Sequence, residues 1–146
     1  VSLGIYATDA SLYQILPVAV AIPRNEEDAV TAVKIAADHK IPIIARGGGT
    51  GLAGQTIGQG MILDLSKHLN KIFDFCEEEK SIWVQPGVVR DHLNTFLNPH
   101  GLHFAPDPAT SSRANIGGMV ANNSSGTRSI IFGKTVKHVL AIKPVS

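Results

Sequence analysis

The chain has 146 residues, of which 44% are hydrophobic and 17% charged, and its formal net charge is +1. This composition predicts one globular domain or part of a larger one, and the scattered lysines and arginines argue against a nucleic-acid interface. A single cysteine, Cys76, excludes an internal disulfide. No signal peptide and no apolar run long enough to cross a membrane is recognised, so a cytoplasmic location is expected.

The first predicted elements form a strand–helix–strand unit. Residues 18–22 are a short apolar run typical of a buried strand, and Pro23 ends it. Asn25 is a good N-cap for the helix that follows, whose first turn contains three acidic residues. Residues 41–45 are a second apolar strand. This order predicts a right-handed crossover between a parallel pair of strands.

The glycine loop (residues 47–55) follows the second strand and has five glycines within eight positions. Successive glycine N–H groups can form a nest that binds an anion, and Arg46 adds a positive charge beside it. Ligands of open α/β sheets bind at the carboxyl ends of the strands, where this loop begins. A phosphate or pyrophosphate site and a flexible surface loop are the two interpretations.

Two common phosphate-binding motifs do not fit the glycine loop. The P-loop requires a lysine after its last glycine, and neither Gly51 nor Gly54 is followed by one. Residues 49–54 match the spacing of a dinucleotide-binding fingerprint, but the residues that follow are typical of a loop rather than of a helix.

The middle of the chain predicts a third strand, a hairpin and a helix. Residues 60–65 are the third strand, and residues 71–75 and 81–85 are a hairpin with an acidic turn. Residues 89–97 have helical apolar spacing, and residues 101–105 are expected to be a short extended piece.

Small and polar residues dominate the segment between Ala105 and Gly126. Short hydroxyl and amide side chains provide many hydrogen-bonding groups around a large polar ligand at little steric cost. The alternative is a long loop held by its own side-chain turns. Because structureless loops of this length are uncommon unless they are functional, ligand binding is favoured.

These motifs together resemble the FAD-binding domain of the vanillyl-alcohol-oxidase/para-cresol-methylhydroxylase type. The most similar branch contains glycolate oxidase subunits, D-lactate dehydrogenases and D-2-hydroxyglutarate dehydrogenases. Residues 6–13 also fit this branch, particularly its members fused to an iron–sulfur domain. The matching motifs are residues 46–54 (RGGGTGLAG), 84–88 (VQPGV), 101–102 (GL), 106–108 (PDP), 116–123 (IGGMVANN), 126 (G) and 132–135 (FGKT).

The resemblance implies a set of FAD-binding residues. Those implied for the pyrophosphate are Gly47, Gly48, Gly49, Thr50, Gly51 and Leu52. Those implied for the flavin and its ribityl-diphosphate arm are Pro106, Thr110, Gly117, Gly118, Asn122, Ser124 and Gly126. Pro23 would flank the adenine, and Arg46 is expected to stabilise the loop more than to touch phosphate.

The resemblance also implies an α/β fold of the FAD-binding type 2. A first subdomain of about residues 15–105, with a small parallel sheet and flanking helices, would precede the start of a second α+β subdomain at residues 106–146. The family's FAD domain continues beyond Val145 and a substrate domain follows it. Catalytic residues and any iron–sulfur cluster are therefore expected outside this chain, and the chain alone should be inactive.

The activity implied by the resemblance is oxidation of a D-2-hydroxy acid by hydride transfer to non-covalent FAD. Some relatives attach flavin through a histidine where this chain has Thr50, and others through a cysteine near the second motif, far from Cys76. The electron acceptor is expected not to be nicotinamide, and the complete protein could lie peripherally at the inner membrane. The alternatives are a non-catalytic nucleotide-binding module and the FAD domain of a cell-wall precursor reductase.

Three further residues have weaker claims to chemistry. His100 and His103 lack a third ligand at useful spacing, so no metal site is predicted. Asp107 is expected to fix the Pro-Asp-Pro turn rather than to act as a base.

Overall fold

A computed structural model describes residues 3–145 of the chain. The described residues form two compact units, one that runs to Leu69 and includes Val145, and one from Asn70 to Pro144. The subdomain boundary predicted near residue 105 concerns the complete domain that the resemblance implies, and it stays a prediction.

The first unit contains a small sheet, one long helix and a short 3-10 helix. Its elements are the 3-10 helix Leu3–Tyr6, β1 (Ala19–Ala21), α1 (Glu26–Asp38), β2 (Ile43–Arg46) and β3 (Met61–Asp64). Helix α1 begins as predicted: the Asn25 side chain accepts a hydrogen bond of 2.7 Å from the N–H of Asp28. Three acidic residues in its first turn interact favourably with the positive end of the helix dipole.

All three strands of the first unit are parallel, in the order β1-β3-β2. The predicted α/β class with a small parallel sheet is confirmed. The prediction that β1 and β2 form a pair is wrong, because β3 lies between them. Every residue of β3 is buried, and Ile62 is 0% exposed. A strand that is apolar on both faces gains most from the central position, where both neighbours cover it.

The second unit combines an antiparallel hairpin with short helices. Its elements are β4 (Ile72–Cys76), β5 (Ser81–Val84), α2 (Arg90–Leu97), α3 (Ile116–Asn122), α4 (Ser129–Phe132) and the 3-10 helices Asn98–His100 and Thr135–His138. The core is formed by Val88, Leu93, Leu97, Ala114, Ile116 and Met119. The hairpin and the helix that follows it agree with the sequence prediction.

Two segments of the second unit were described only loosely by the sequence. Residues 101–105 belong to no strand, and side chains of α2 bind their main chain: the N–H of Phe104 donates to Asn94 at 2.6 Å, and its carbonyl accepts from Asn94 and Arg90. The polar segment 105–126 contains α3, so the alternative of one long loop does not hold, and its role in ligand binding stays a prediction. Two consecutive glycines weaken the helical pattern of α3, although Ile116 and Met119 bury one face.

Candidate functional site

The glycine loop leaves the carboxyl end of β2 with its main-chain donors available. Among the described residues, no acceptor receives a hydrogen bond from the N–H groups of residues 47–52. The loop is half-buried at Gly47, Gly49, Thr50 and Gly51 and exposed at Gly48 and Leu52. Unpaired main-chain donors are costly unless water or a ligand binds them. This arrangement is suited to binding an anion.

Gly49 is the residue at which the loop requires glycine. Its φ is +64°, a conformation that other residues rarely adopt, whereas Gly48 lies outside the positive-φ region. A Cβ atom on Gly49 would also lie only 2.9 Å from Nη2 of Arg46. Both the backbone conformation at residue 49 and the position of the Arg46 guanidinium group therefore depend on glycine having no side chain.

Arg46 directs its guanidinium group toward carbonyl oxygens of the protein. Its Nη2 donates to the carbonyl of Thr8 at 2.9 Å, and its Nη1 donates to the carbonyl of Thr56 at 3.3 Å. The guanidinium carbon also lies 5.4 Å from the centre of the Tyr6 ring, within cation–π range. These contacts connect the end of β2 to residues before and after the loop, and the expectation that Arg46 stabilises the loop rather than touching phosphate stays a prediction.

A buried polar pair below the loop was not predicted from the sequence. The Tyr6 hydroxyl donates to Oδ2 of Asp64 at 2.7 Å, and both residues are almost fully buried. Oδ1 of Asp64 accepts from the N–H and the hydroxyl of Ser66. The pKa of Tyr6 is raised to about 12, chiefly by burial and also by the hydrogen bond and charge of Asp64, while the charge of Arg46 lowers it in part. An aspartate inside an apolar strand was the available signal, because buried carboxylates need partners.

Two other predicted residues of the first unit lie near the strand ends. Pro23 is buried just after β1, and because β1 and β2 are parallel, both Pro23 and the glycine loop follow carboxyl ends at one edge of the sheet. Gly51 is covered by Gln55, whose Oε1 would lie 2.5 Å from a Cβ atom built there. Gln55 also accepts a hydrogen bond from the N–H of Ala53.

In the second unit, two of the predicted glycines are explained by packing within the protein. The N–H of Gly117 donates to the carbonyl of Pro86 at 2.9 Å, and a Cβ atom on Gly117 would lie 2.6 Å from Cβ of Pro86. A Cβ atom on Gly126 would collide with the carbonyl oxygen and the side chain of Asp107. Both glycines permit close approach of backbone, whether or not a ligand is bound.

Gly118 differs from these glycines because a Cβ atom built on it would meet nothing within 4 Å. Gly118 and Asn122 are four residues apart on α3 and therefore lie on one helix face. Asn122 is exposed, whereas Ile116 and Met119 are buried in the core. The Gly118–Asn122 face thus leaves helix backbone open to approach.

The other predicted residues of the second unit differ in exposure. Pro106 is buried, and its carbonyl accepts a hydrogen bond from Nε of Arg90 at 3.0 Å. Thr110 is exposed. The carbonyl of Ser124 accepts hydrogen bonds from the N–H and the hydroxyl of Thr135, so its main chain already has protein partners.

Asp107 fixes a turn, as the sequence predicted. Its carboxylate accepts from the N–H of Arg128 at 3.1 Å and from the hydroxyl of Thr127 at 3.0 Å. Partial burial raises the pKa of Asp107, but these hydrogen bonds and the charge of Arg128 lower it by more, so it lies below its ordinary value. The carboxylate is thus ionised and occupied by its own loop.

A cavity in the second unit is lined by none of the predicted site residues. Its volume is about 470 Å³, and its lining comprises Arg90, Asn94, Asn98, Gly101, Leu102, His103 and Arg128. Arg90 already donates to two carbonyl groups and pairs with Asp91 at 3.0 Å. Arg128 lies 3.7 Å from Asp107. The two cations of this cavity therefore have protein partners.

The described residues offer neither a metal site nor a membrane-spanning helix. No group of three or more metal-binding side chains is found within residues 3–145. His100 lies 3.8 Å from Glu77, and its ring packs at a tilt of 53° against Phe75, with 4.5 Å between the ring centres. Over the same described range, no helix is long and apolar enough to cross a membrane.

Three comparisons relate the chain to known proteins. A family model described as an FAD binding domain matches residues 17–146. D-2-hydroxyglutarate dehydrogenase of Escherichia coli (strain K12) is 43% identical over 142 residues, which cover 95% of this chain and 14% of the relative. Glycolate oxidase subunit GlcD of Bacillus subtilis (strain 168) is 36% identical over 143 residues, which cover 97% of this chain and 30% of the relative.

A solved structure of alkyldihydroxyacetonephosphate synthase has the same fold. It superposes with a TM-score of 0.74 at 22% identity, over 83% of this chain and 23% of the synthase chain. The chain spans about 14% of the length of the dehydrogenase relatives that it matches.

Proposed function

The chain belongs to the FAD-binding domain family, and from this premise we propose that its glycine loop binds the pyrophosphate of non-covalent FAD. The complete protein is a flavin-dependent oxidoreductase that oxidises a D-2-hydroxy acid. One observation carries the proposal: the N–H groups of residues 47–52 have no acceptor among the described residues. A pyrophosphate supplies acceptor oxygens and negative charge to such a set of donors.

Each region of the site has its own task in this proposal. The glycines at positions 47–49 carry no side chain that would keep phosphate oxygens from the main chain. Arg46 keeps the loop in place through the carbonyl groups of Thr8 and Thr56 rather than by binding phosphate. The Gly118–Asn122 face of α3 provides open backbone and an amide side chain for the flavin part of the ligand.

Bound FAD would supply the acceptor for the hydride that leaves the α-carbon of the hydroxy acid, and the final electron acceptor is proposed to be other than nicotinamide. The residues of this chain bind and orient the cofactor. Asp107 is not assigned as a base because its oxygens accept hydrogen bonds from Thr127 and Arg128. Substrate-binding and catalytic residues are proposed to lie in the remaining length of a protein resembling the dehydrogenase relatives.

The proposed cofactor is dissociable. Thr50 offers no nucleophile comparable to the histidine that links flavin in some relatives, and Cys76 lies at the end of β4 in the hairpin. Denaturation of the complete holoprotein should release the yellow chromophore into the filtrate. Flavin that stays on the denatured chain would refute non-covalent binding.

Turnover tests the proposed activity. The complete protein should reduce an artificial electron acceptor with D-2-hydroxyglutarate, D-lactate or glycolate, and L-2-hydroxyglutarate and L-lactate serve as controls for the two chiral substrates. Residues 1–146 alone should give no turnover. Bound FAD without oxidation of any D-2-hydroxy acid would retain the binding proposal and exclude the activity.

Two finer points concern the complete protein, and the first rests on the resemblance of residues 6–13 to the branch fused to an iron–sulfur domain. A cluster in a further domain is proposed, and iron and sulfide analysis of the complete protein tests it. A cytoplasmic or peripheral inner-membrane location is proposed as well. Fractionation of cells with and without a high-salt wash distinguishes the two.

A further inference from the structure

The N-terminal segment (residues 6–14) lies before the region that the family model matches, which begins at residue 17. It nevertheless has a defined structure. Thr8 and Gln14 form an antiparallel bridge, and the N–H of Ile15 donates to the carbonyl of Ala7 at 2.9 Å. Tyr6 at its start is buried and bound to Asp64. The segment is therefore anchored at one end and folded back on itself.

The N-terminal segment contacts the main chain of the glycine loop directly. The N–H of Ala10 donates to the carbonyl of Gly49 at 3.0 Å. This carbonyl and the N–H of Thr50 belong to one trans peptide unit, so they point in opposite directions. Because Ala10 holds the carbonyl, the N–H of Thr50 points away from the N-terminal segment. One hydrogen bond thus sets the direction of one of the loop's available donors.

A second set of contacts holds the two ends of the loop. At its start, Arg46 donates to the carbonyl of Thr8. Directly after its end, the hydroxyl of Thr56 donates to Oδ2 of Asp9 at 2.9 Å. The other oxygen of Asp9 accepts from the N–H of Ser11 at 2.8 Å. The carboxylate of Asp9 therefore connects the N-terminal segment to the chain that leaves the loop.

Packing adds a third contact. Gly54 has a φ of +74°, and a Cβ atom there would lie 2.9 Å from Cδ2 of Tyr13. The N–H of Tyr13 donates to the hydroxyl of Ser11 at 3.2 Å. The beginning, middle and end of the glycine loop thus each contact the N-terminal segment.

We propose that the N-terminal segment positions the glycine loop for FAD, with Asp9 and Thr56 as positioning residues that do not touch the cofactor. This inference rests on the proposed function of the loop. Loss of the Asp9–Thr56 contact leaves the loop main chain chemically unchanged but allows it more conformations. Ordering those conformations on binding costs entropy, so FAD affinity falls.

The test measures FAD affinity of the complete protein after its flavin has been removed. Titration with FAD is followed by quenching of FAD fluorescence. Thr56→Val keeps the shape of the side chain and removes the hydroxyl, and we expect the Kd for FAD to rise about tenfold. Thr56→Ser keeps the hydroxyl and should restore affinity to within about twofold of the original protein.

Two further variants separate positioning from general destabilisation. Asp9→Ala should raise the Kd at least about tenfold, because it removes the acceptor of Ser11 as well as that of Thr56. The double variant should show no greater effect than Asp9→Ala alone, because Thr56→Val then removes only a contact that is already broken. Thr31→Val is the matched control: the Thr31 hydroxyl binds a carbonyl within helix α1, and it should leave FAD affinity unchanged. Thermal unfolding of each flavin-free variant ensures that affinity is measured on folded protein.

The outcomes distinguish this inference from the proposed function. FAD affinity of Thr56→Val within twofold of the original, or an equal loss in Thr31→Val, overturns the positioning role while FAD binding stands. A loss in the double variant well beyond that of Asp9→Ala alone also overturns it, because the two residues would then act independently. If the unmodified complete protein binds no FAD, the proposed function fails and the positioning role fails with it.

Discussion

Two glycine-rich regions of this chain look alike in sequence and differ in structure. In the glycine loop, the N–H groups of residues 47–52 have no acceptor among the described residues. In the second region, residues 117–126, Gly117 and Gly126 are instead required by close contact with Pro86 and Asp107. Glycine there makes room for the protein's own backbone.

The difference teaches that a cluster of glycines has to be resolved residue by residue. Gly49 combines a positive φ with a neighbouring guanidinium group, whereas Gly48 has neither a positive φ nor a buried position. Gly117 is packed, whereas its neighbour Gly118 faces open space. Each region therefore contains a pair of adjacent glycines, one demanded by the fold and one available to a ligand.

The glycine loop should show the largest effects. Gly49→Val places a β-branched residue at φ +64° beside Arg46, and we expect it to lower the free energy of unfolding by about 2–3 kcal/mol and to abolish FAD binding. Gly48→Val should change stability by only about 0.5 kcal/mol, because the site is exposed. It should still weaken FAD binding about 10–100-fold by obstructing charged hydrogen bonds.

Flavin absorbance per protein and far-UV circular dichroism on both complete variants check this difference. Normal flavin content in folded Gly48→Val would remove the loop from the site. Arg46→Ala is a useful comparison, and its effect on FAD content should be smaller than that of Gly48→Val. Equal stability losses at Gly48 and Gly49 would contradict the distinction between them.

In the second region, alanine at two adjacent glycines should change the free energy of unfolding in opposite directions. Gly117→Ala forces a methyl group against Pro86 and should cost about 1–3 kcal/mol of unfolding free energy. Gly118→Ala introduces no collision within the chain and should stabilise the flavin-free protein by about 0.5–1 kcal/mol. If the face binds FAD, the same change raises the Kd about tenfold. Urea unfolding and FAD titration measure the two quantities; tighter FAD binding by Gly118→Ala would exclude this face.

The buried pair beneath the glycine loop should respond at high pH. Since folding raises the pKa of Tyr6 from 10.0 to about 12, its stabilising contribution is complete below about pH 10 and is lost as the pH rises toward 12. Tyr6→Phe should cost about 1–2 kcal/mol near neutral pH by leaving Asp64 one donor short. When tyrosine ionisation is followed by absorbance at 295 nm, the transition near pH 12 should disappear in this variant. If that transition persists, the raised pKa does not belong to Tyr6.

The turn of the second region should give the smallest effect, at low pH. The pKa of Asp107 is lower in the folded protein, so its stabilising contribution is present above the unfolded-state pKa near 3.9 and is lost as the pH falls further. Asp107→Asn should flatten this part of the stability profile. Unfolding midpoints between about pH 2 and pH 5 measure it; an unchanged acid slope would show that other carboxylates dominate.

Local features of this fold were predictable from the sequence, and long-range ones were not. The start of α1 follows from Asn25 and the acids beside it, because capping involves only neighbouring residues. The glycine loop was also predictable, because its five glycines are neighbours in the sequence. The central position of β3 depends on burial by both neighbours, which no local pattern specifies. Tyr6 and Asp64 are separated by 58 positions, and nothing in either neighbourhood identifies the partner.

Helix α3 shows that a glycine-rich motif can make a helix hard to predict from the sequence. Its glycines carry the motif and at the same time lower the helix propensity on which a secondary-structure prediction depends. The binding residues implied by the resemblance, including Thr110 and Asn122, remain predictions. Only the structure shows that Asn122 lies on a helix and that Thr110 lies outside one.

The Tyr6–Asp64 hydrogen bond has a practical consequence for domain grafting. A chimaera joined at residue 17, where the family model begins, would transfer Asp64 without its phenol donor. The recipient would inherit a carboxylate that is 3% exposed and one hydrogen bond short. Such a graft should fold poorly even though every family motif is intact. A junction placed before Leu3 would transfer the donor together with its acceptor.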